Sequence, residues 1–242
     1  MLFMVMHKLT PEIEEGLPPN TRVIAEMGKL VAEAIEQGKF QHGAGLKRSV
    51  ERVRLRWKAG QCEVTRGPKG EHELLAGFAQ LQVKSMEEAI AWTQRIVATE
   101  GITDAEFDIG PVVERWDLGL APKPTGEVPL NVLVLRKADA ASERGAHPSP
   151  AVASRMQALV GEMQQAGVLT LAEGLKPSAS GARLRSAGGK HSWTDGPFAE
   201  SKEMISGFSI IKVDSLAEAK AWTERYADVL GDIEVDVREV MA

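Results

Sequence analysis

A single cysteine and a single tyrosine stand in 242 residues, and aromatic side chains make up 5% of them. Cys62 cannot close an internal disulfide, and it belongs to no CxxC or Cys/His pattern of zinc spacing. His42 and His72 add no ligand spacing to it, so no metal centre is expected. Long apolar runs are missing as well. The opening MLFMVMHKLTPE reaches His7 and Lys8 after six residues, too few for a signal-peptide core and far short of the roughly 20 apolar residues that span a bilayer. A cytoplasmic protein without a membrane segment is the expectation. There is no basic excess: 29 Lys and Arg face 34 Asp and Glu, for a net charge of -5, which argues against direct binding to nucleic acid. Gly181 and Gly188-Gly189 do not build a strand-to-helix GxGxxG phosphate loop, and no Gly-x-Ser-x-Gly elbow occurs. No cofactor is expected on these grounds.

What is present is a balanced globular composition, 43% hydrophobic and 26% charged, written twice. Residues 27–56 align with 156–185 at an offset of 129 with 12 identities in 30, including Gly45-Leu46-Lys47 with Gly174-Leu175-Lys176 and Arg54-Leu55-Arg56 with Arg183-Leu184-Arg185. After one inserted residue, 76–95 align with 206–225 with 10 identities in 20, including Gly77-Phe78 with Gly207-Phe208 and Ala91-Trp92-Thr93 with Ala221-Trp222-Thr223. The first copy is placed at 1–117 and the second at 130–242. Between them, 118–129 holds Pro122, Pro124 and Pro129 with Gly119 and Gly126, the composition of an extended linker.

Each copy reads as the same series of elements. Short apolar runs at 2–6 and 132–135 have strand length. They precede helices over 21–37 and 151–165, where Val23, Met27, Leu30, Val31 and Ala34 or Val152, Met156, Leu159, Val160 and Met163 recur at helical spacing. Ser149-Pro150 marks a helix start, and Gly38 and Gly167 mark ends. Residues 53–57 and 182–185 alternate apolar with arginine, as a strand with one charged face does. Strands at 78–83 and 208–213 lead into two capping boxes, Ser85 with Glu88 and Ser215 with Glu218. Acid-flecked strands at 106–113 and 233–240 close the copies. The order β-α-β then β-α-β, with an extra strand between, predicts an α+β fold of two tandem ferredoxin-like domains. Packing their open sheet faces would make a pseudo-two-fold α+β barrel within one chain, a monomer for which further dimerisation stays open.

The most distinctive stretch is Thr194-Asp195-Gly196-Pro197-Phe198-Ala199-Glu200-Ser201-Lys202-Glu203, followed by Ser206-Gly207-Phe208. With Gly167-Val168-Leu169, Glu173-Gly174-Leu175, Arg183 and Ile233-Glu234-Val235 it resembles the YCII-related superfamily, in the branch named for its DGPF motif, over nearly all of the second copy and, through the repeat, the first. The resemblance implies a small dimeric α+β barrel, a suspected enzymatic role, and genes that lie beside extracytoplasmic-function sigma factors. Two departures stand out. The first copy reads Arg66-Gly67-Pro68-Lys69, without the Asp and the Phe, although Glu71 and Glu73 stand opposite Glu200 and Glu203 with His72 between them. Neither first helix holds the His of the His/Asp pair on which the suspected activity rests.

Two roles are open to the motif. Asp, Gly and Pro favour a turn for local reasons. Alternatively the turn gathers a site for a small polar or aromatic molecule, with Asp195 and Glu203 as acid/base candidates for lyase-type chemistry and Arg183, Arg185, Glu200, Lys202 and Phe198 as ligand-binding residues. Trp57 and Trp193 are candidates for packing or ligand stacking. The alternative to a small-molecule protein is a non-catalytic sensor or adaptor acting with a sigma factor, as the family resemblance implies.

Overall fold

A computed structural model describes residues 1–17, 20–70, 74–198 and 203–241. In chain order the first copy contributes β1 (Leu2–Lys8), α1 (Pro11–Glu14), α2 (Thr21–Glu36), β2 (Phe40–Gly45), β3 (Val53–Lys58), β4 (Gln61–Arg66), β5 (Leu75–Val83), α3 (Met86–Glu100) and β6 (Ala105–Pro111). The second contributes β7 (Leu130–Lys137), α4 (Pro150–Gln165), β8 (Leu169–Gly174), β9 (Ala182–Ala187), β10 (Lys190–Asp195), β11 (Ile205–Lys212), α5 (Leu216–Leu230) and β12 (Ile233–Glu239). One-turn 3-10 helices, Ser49–Glu51 and Ser178–Ser180, stand before β3 and β9.

The local signals explain these elements. Ser85 and Ser215 cap α3 and α5 by accepting from the Glu88 and Glu218 amides. Each glutamate reaches one residue further back than the usual box, to the amides of Lys84 and Asp214. Ser149 caps α4 with Pro150 as its first residue, and Gly38 and Gly167, at φ +67° and +69°, turn the chain out of α2 and α4. Strand β2 carries no alternating apolar signal and β8 only a short one, Leu169-Thr170-Leu171, and both lie at sheet edges. Among the described residues no helix is long and apolar enough to cross a membrane.

Two antiparallel six-stranded sheets result, in the orders β10-β9-β12-β1-β11-β2 and β4-β3-β6-β7-β5-β8. Setting aside the outer hairpin, each has the strand order of a ferredoxin-like β-α-β-β-α-β unit, so the fold is two ferredoxin-like units, each with an added hairpin at one edge. The units do not follow the copies. Unit one comprises 1–48, 70–74 and 175–242, and unit two comprises 49–69 and 75–174. In unit one, β1 of the first copy lies between β11 and β12 of the second, with Met6 opposite both Phe208 and Asp236. In unit two, β7 of the second copy lies between β5 and β6 of the first. Each unit therefore joins the β-α-β half of one copy to the later half of the other.

Unit one packs α2 and α5 on one sheet face over Phe3, Val5, Leu184, Ile211, Val235 and Val237. Unit two packs α3 and α4 over Leu55, Leu81, Ile109, Val132 and Val134. Matching bidentate pairs clasp the helices, Arg225 to Glu33 and Arg95 to Glu162, each running from one copy to the other.

Candidate functional site

The face of each sheet away from its helices carries a buried ionic triad built from both copies. In unit one the Arg183 guanidinium donates to both Asp236 oxygens, at 2.6 and 3.0 Å, and Lys8 Nζ lies 2.8 Å from Asp236 Oδ2. Lys8 and Asp236 are 1% and 2% exposed. In unit two Arg54 donates to Asp108 at 2.7 and 2.8 Å, with Lys137 Nζ at 3.0 Å. Glu234 and Glu106 extend the clusters, at 3.4 and 3.3 Å from Arg183 and Arg54. Burial pushes the Asp236 carboxyl up, but Lys8 beside it and the Arg183 hydrogen bonds outweigh that and leave it below the ordinary range. Asp108 is lowered in the same way, against its own burial, by the Arg54 hydrogen bonds and by Lys137.

Two further buried arginines stand in mirrored positions. Arg52, on the approach to β3, lies against Gly110 of β6, where a Cβ would sit 3.3 Å from its Cδ. In unit one the aligned positions are Gly181 and Arg238, so the guanidinium comes from the other strand, and a Cβ on Gly181 would lie 2.8 Å from Arg238 Cδ. Arg238 donates to the Lys176 carbonyl.

The described start of the motif lies against the unit-one triad. Phe198 is buried with the Arg183 guanidinium carbon 4.5 Å from its ring centroid, so it covers the charge cluster. Gly196 donates from its amide to the Gly181 carbonyl and passes so near the 3-10 turn that a Cβ would stand 1.8 Å from the Ser178 carbonyl oxygen; the following Gly196-Pro197 bond is cis. Asp195, the last residue of β10, points outward, 76% exposed, and pairs with Lys220 Nζ at 2.6 Å. Lys220 also lies 5.0 Å from the Trp193 ring, whose Nε1 donates to Glu224. Trp193 thus packs partly on unit one's core and partly on Lys220. A cleft of about 430 Å³ lies here, lined by Ala179, Ser180, Gly181, Asp195, Leu216, Ala217 and Lys220.

The residues expected from sequence therefore divide. Arg183 and Phe198 meet each other, and Arg183 is held by Asp236. Asp195 reaches the cleft, Glu203 is exposed beyond the turn, and Arg185 is exposed on β9. Glu200 and Lys202 lie outside the described residues, as do Glu71, His72 and Glu73 of the first copy. Sequence reasoning passed over Lys8, Asp108, Lys137, Asp236 and Lys220. The signal for the two aspartates was there, since Glu106 and Asp108, like Glu234 and Asp236, alternate with buried apolar residues and so share a face with the strand arginines.

At the corresponding turn of unit two, Arg66 pairs with Glu87 at 2.9 Å, both well exposed, which reverses the charge order of Asp195 and Lys220. Lys69 takes the place of Phe198, and its carbonyl accepts from Arg54 Nη1 at 2.9 Å. A second difference lies on the helix-facing side. His7 Nδ1 is 2.7 Å from the hydroxyl of Tyr226, whose phenol burial raises far above its ordinary range against a smaller opposing effect of Ser209. The aligned residues in unit two are Arg136, Ile96 and Ala79, and Arg136 donates to Glu100 at 2.6 Å. Burial raises the Glu100 carboxyl while Arg136 draws it down.

Among the described residues no group of three or more His, Cys, Asp or Glu is placed to hold a metal ion. No match was found among curated proteins or among solved structures. The YCII-related domain matches the sequence twice, over residues 1–106 and 131–240. Two matches spanning most of the chain, agreeing with the internal repeat and with two ferredoxin-like units, establish that it belongs to the YCII-related domain family as a tandem duplication.

Proposed function

We propose that this protein binds a small polar or aromatic molecule carrying both charges in the unit-one cleft between Asp195 and Lys220. The observation that carries this is the ion pair at the cleft wall, Asp195 Oδ1 to Lys220 Nζ at 2.6 Å, in a space of about 430 Å³. That volume falls within the usual size of small-ligand sites. An exposed pair of this kind contributes about 0–1 kcal/mol, so a ligand separates it at little cost and takes an ammonium to Asp195 and an anionic group to Lys220. The positive end of α5, at Leu216 and Ala217, favours the anion at that side, and Trp193 beside Lys220 offers an aromatic surface.

Recognition is favoured over acid/base chemistry. Carboxyls that move protons are held in dry, apolar surroundings, whereas Asp195 is open to solvent next to an ammonium. An adaptor role with an extracytoplasmic-function sigma factor rests on the family resemblance alone.

The test is a fragment screen with aromatic carboxylates, aromatic amines and aromatic amino acids, read by the Trp193 indole resonance, which Trp193→Phe identifies. Binding of the doubly charged compounds, weakened at least about tenfold by Asp195→Asn and by Lys220→Gln, is the expected result. Binding that survives both substitutions would place the site elsewhere.

A further inference from the structure

The contacts that join the copies fall into two classes, and the difference assigns a partner to each half of the chain. The first class is duplicated. The Lys8–Asp236–Arg183 triad matches Lys137–Asp108–Arg54, and the Arg225–Glu33 clasp matches Arg95–Glu162. Every one of these residue types stands at the aligned position of both copies. They would form equally well if a first copy met another first copy, or a second met a second. They hold halves together without choosing between them.

The second class is not duplicated; it includes Lys39–Glu218 and Asn131–Glu114, and two pairs set against the helices. In unit one, His7 from the first copy meets Tyr226 from the second, beneath which Tyr226 stacks on Trp222. In unit two, Arg136 from the second copy meets Glu100 from the first and approaches the Phe107 ring at 6.0 Å. Aligned with Glu100 is Leu230, with Tyr226 is Ile96, with Ser209 is Ala79 and with Phe107 is Val235. A pair of second copies would put Arg136 beside Leu230, Tyr226 and Val235, a cation in a largely covered place with Asp139 of its own copy near it but no carboxylate from the partner half in the place of Glu100. A pair of first copies would put Glu100, 14% exposed in its side chain, beside His7 and Ile96, without its arginine. Removing one partner of a covered ion pair is strongly unfavourable, more so than the pair itself is favourable.

We infer that the His7–Tyr226 and Arg136–Glu100 contacts are a pairing code by which residues 1–117 accept residues 130–242, and reject a second copy of themselves, as the partner that completes their sheets. The duplicated triads and clasps supply affinity, and unlike contacts such as these two supply selection. In the intact chain the code favours closure of both units over like-with-like association between molecules, where exposed half-sheets would otherwise find identical partners in any other chain.

The experiment begins from the full-length protein with a protease site placed in the 118–129 linker. The chain is folded, cut, unfolded in urea and refolded, and the products are weighed by native mass spectrometry. Random pairing of equal halves leaves roughly half of the pairs unlike; the expected result is an excess of unlike over like pairs of about tenfold or more. A random mixture, or halves that part as monomers on cutting, would overturn the inference. Leu230→Glu in the same background gives Arg136 a carboxylate within its own copy, and like pairs of 130–242 should then rise several-fold; no rise counts against the code. Should the unfolded halves fail to refold, the same count is made after incubating the cut native protein in urea below its unfolding midpoint, where halves exchange without full denaturation.

Discussion

The two units of this chain have the same skeleton and almost the same buried charges, yet they finish their charge clusters differently. In unit one, Arg183 is covered by the ring of Phe198, and the turn that brings Phe198 there leaves Asp195 and Lys220 at the rim of a cleft. In unit two, Arg54 is completed by the Lys69 carbonyl, and the turn presents the reversed pair Arg66 and Glu87 on open surface. The Asp195-Gly196-Pro197-Phe198 stretch thus has a structural part, Gly196 to Phe198, which packs against the triad and the 3-10 turn before β9, and an exposed part, Asp195, which is left available. The first copy, without the Asp and the Phe, has the same backbone contact, from the Gly67 amide to the Arg52 carbonyl, and contributes Arg54 and Asp108 to a matching triad.

The largest expected effect tests what the units share. Asp236→Asn and Asp108→Asn each leave a buried lysine and arginine without their carboxylate, and each should lower stability by about 3–5 kcal/mol in urea unfolding. A large loss in one unit and none in the other would break the equivalence. The same pairs set the acid limit. Both carboxyls are lowered on folding, so their contribution is complete above the unfolded value near about 4 and is lost as pH falls below it. Unfolding midpoints should drop steeply from about pH 4 downward, less so in either Asn variant.

Phe198→Ala should cost about 3–5 kcal/mol, as large-to-small core changes do, whereas Lys69→Ala, whose backbone alone is used, should change stability by less than about 0.5 kcal/mol. Equal effects would remove the contrast between ring and carbonyl. Gly196→Ala meets the Ser178 carbonyl and should cost about 1–3 kcal/mol; Gly67→Ala, at φ +63° with its nearest neighbour at 3.6 Å, should cost about 1 kcal/mol. Smallest of all, Asp195→Asn and Arg66→Gln should each stay within about 0.5 kcal/mol of the parent, since both side chains are exposed.

Much of the architecture was legible because it rests on periodicity and caps. Ser85, Ser149 and Ser215 start their helices, Gly38 and Gly167 end them, and the strand arginines do share a charged face. Strands β2 and β8 were not legible: FQHGAG has no alternation to read and LTLAEG has it only over its first three residues, and they are fixed by pairing with β11 and β5. Nor could sequence tell that the copies exchange halves. Residues 2–6 and 132–135 are interchangeable apolar runs, and each suits the slot of the other, so the choice is made by contacts distant in sequence such as His7 with Tyr226 and Arg136 with Glu100. Of the motif, the turn and its glycine followed from local chemistry. The lysine opposite Asp195 did not, because Lys220 stands on a helix among residues that read only as a solvated face.

The most direct test of the difference between the units is a residue-resolved NMR titration of the intact protein with an aromatic amino acid that the fragment screen returns. Shifts should gather at Trp193, Asp195, Leu216, Ala217 and Lys220 and be absent from Val64, Arg66, Met86, Glu87 and Ile90 of the corresponding turn. Shifts at both turns, or at the second set alone, would contradict the assignment of the ligand site to unit one.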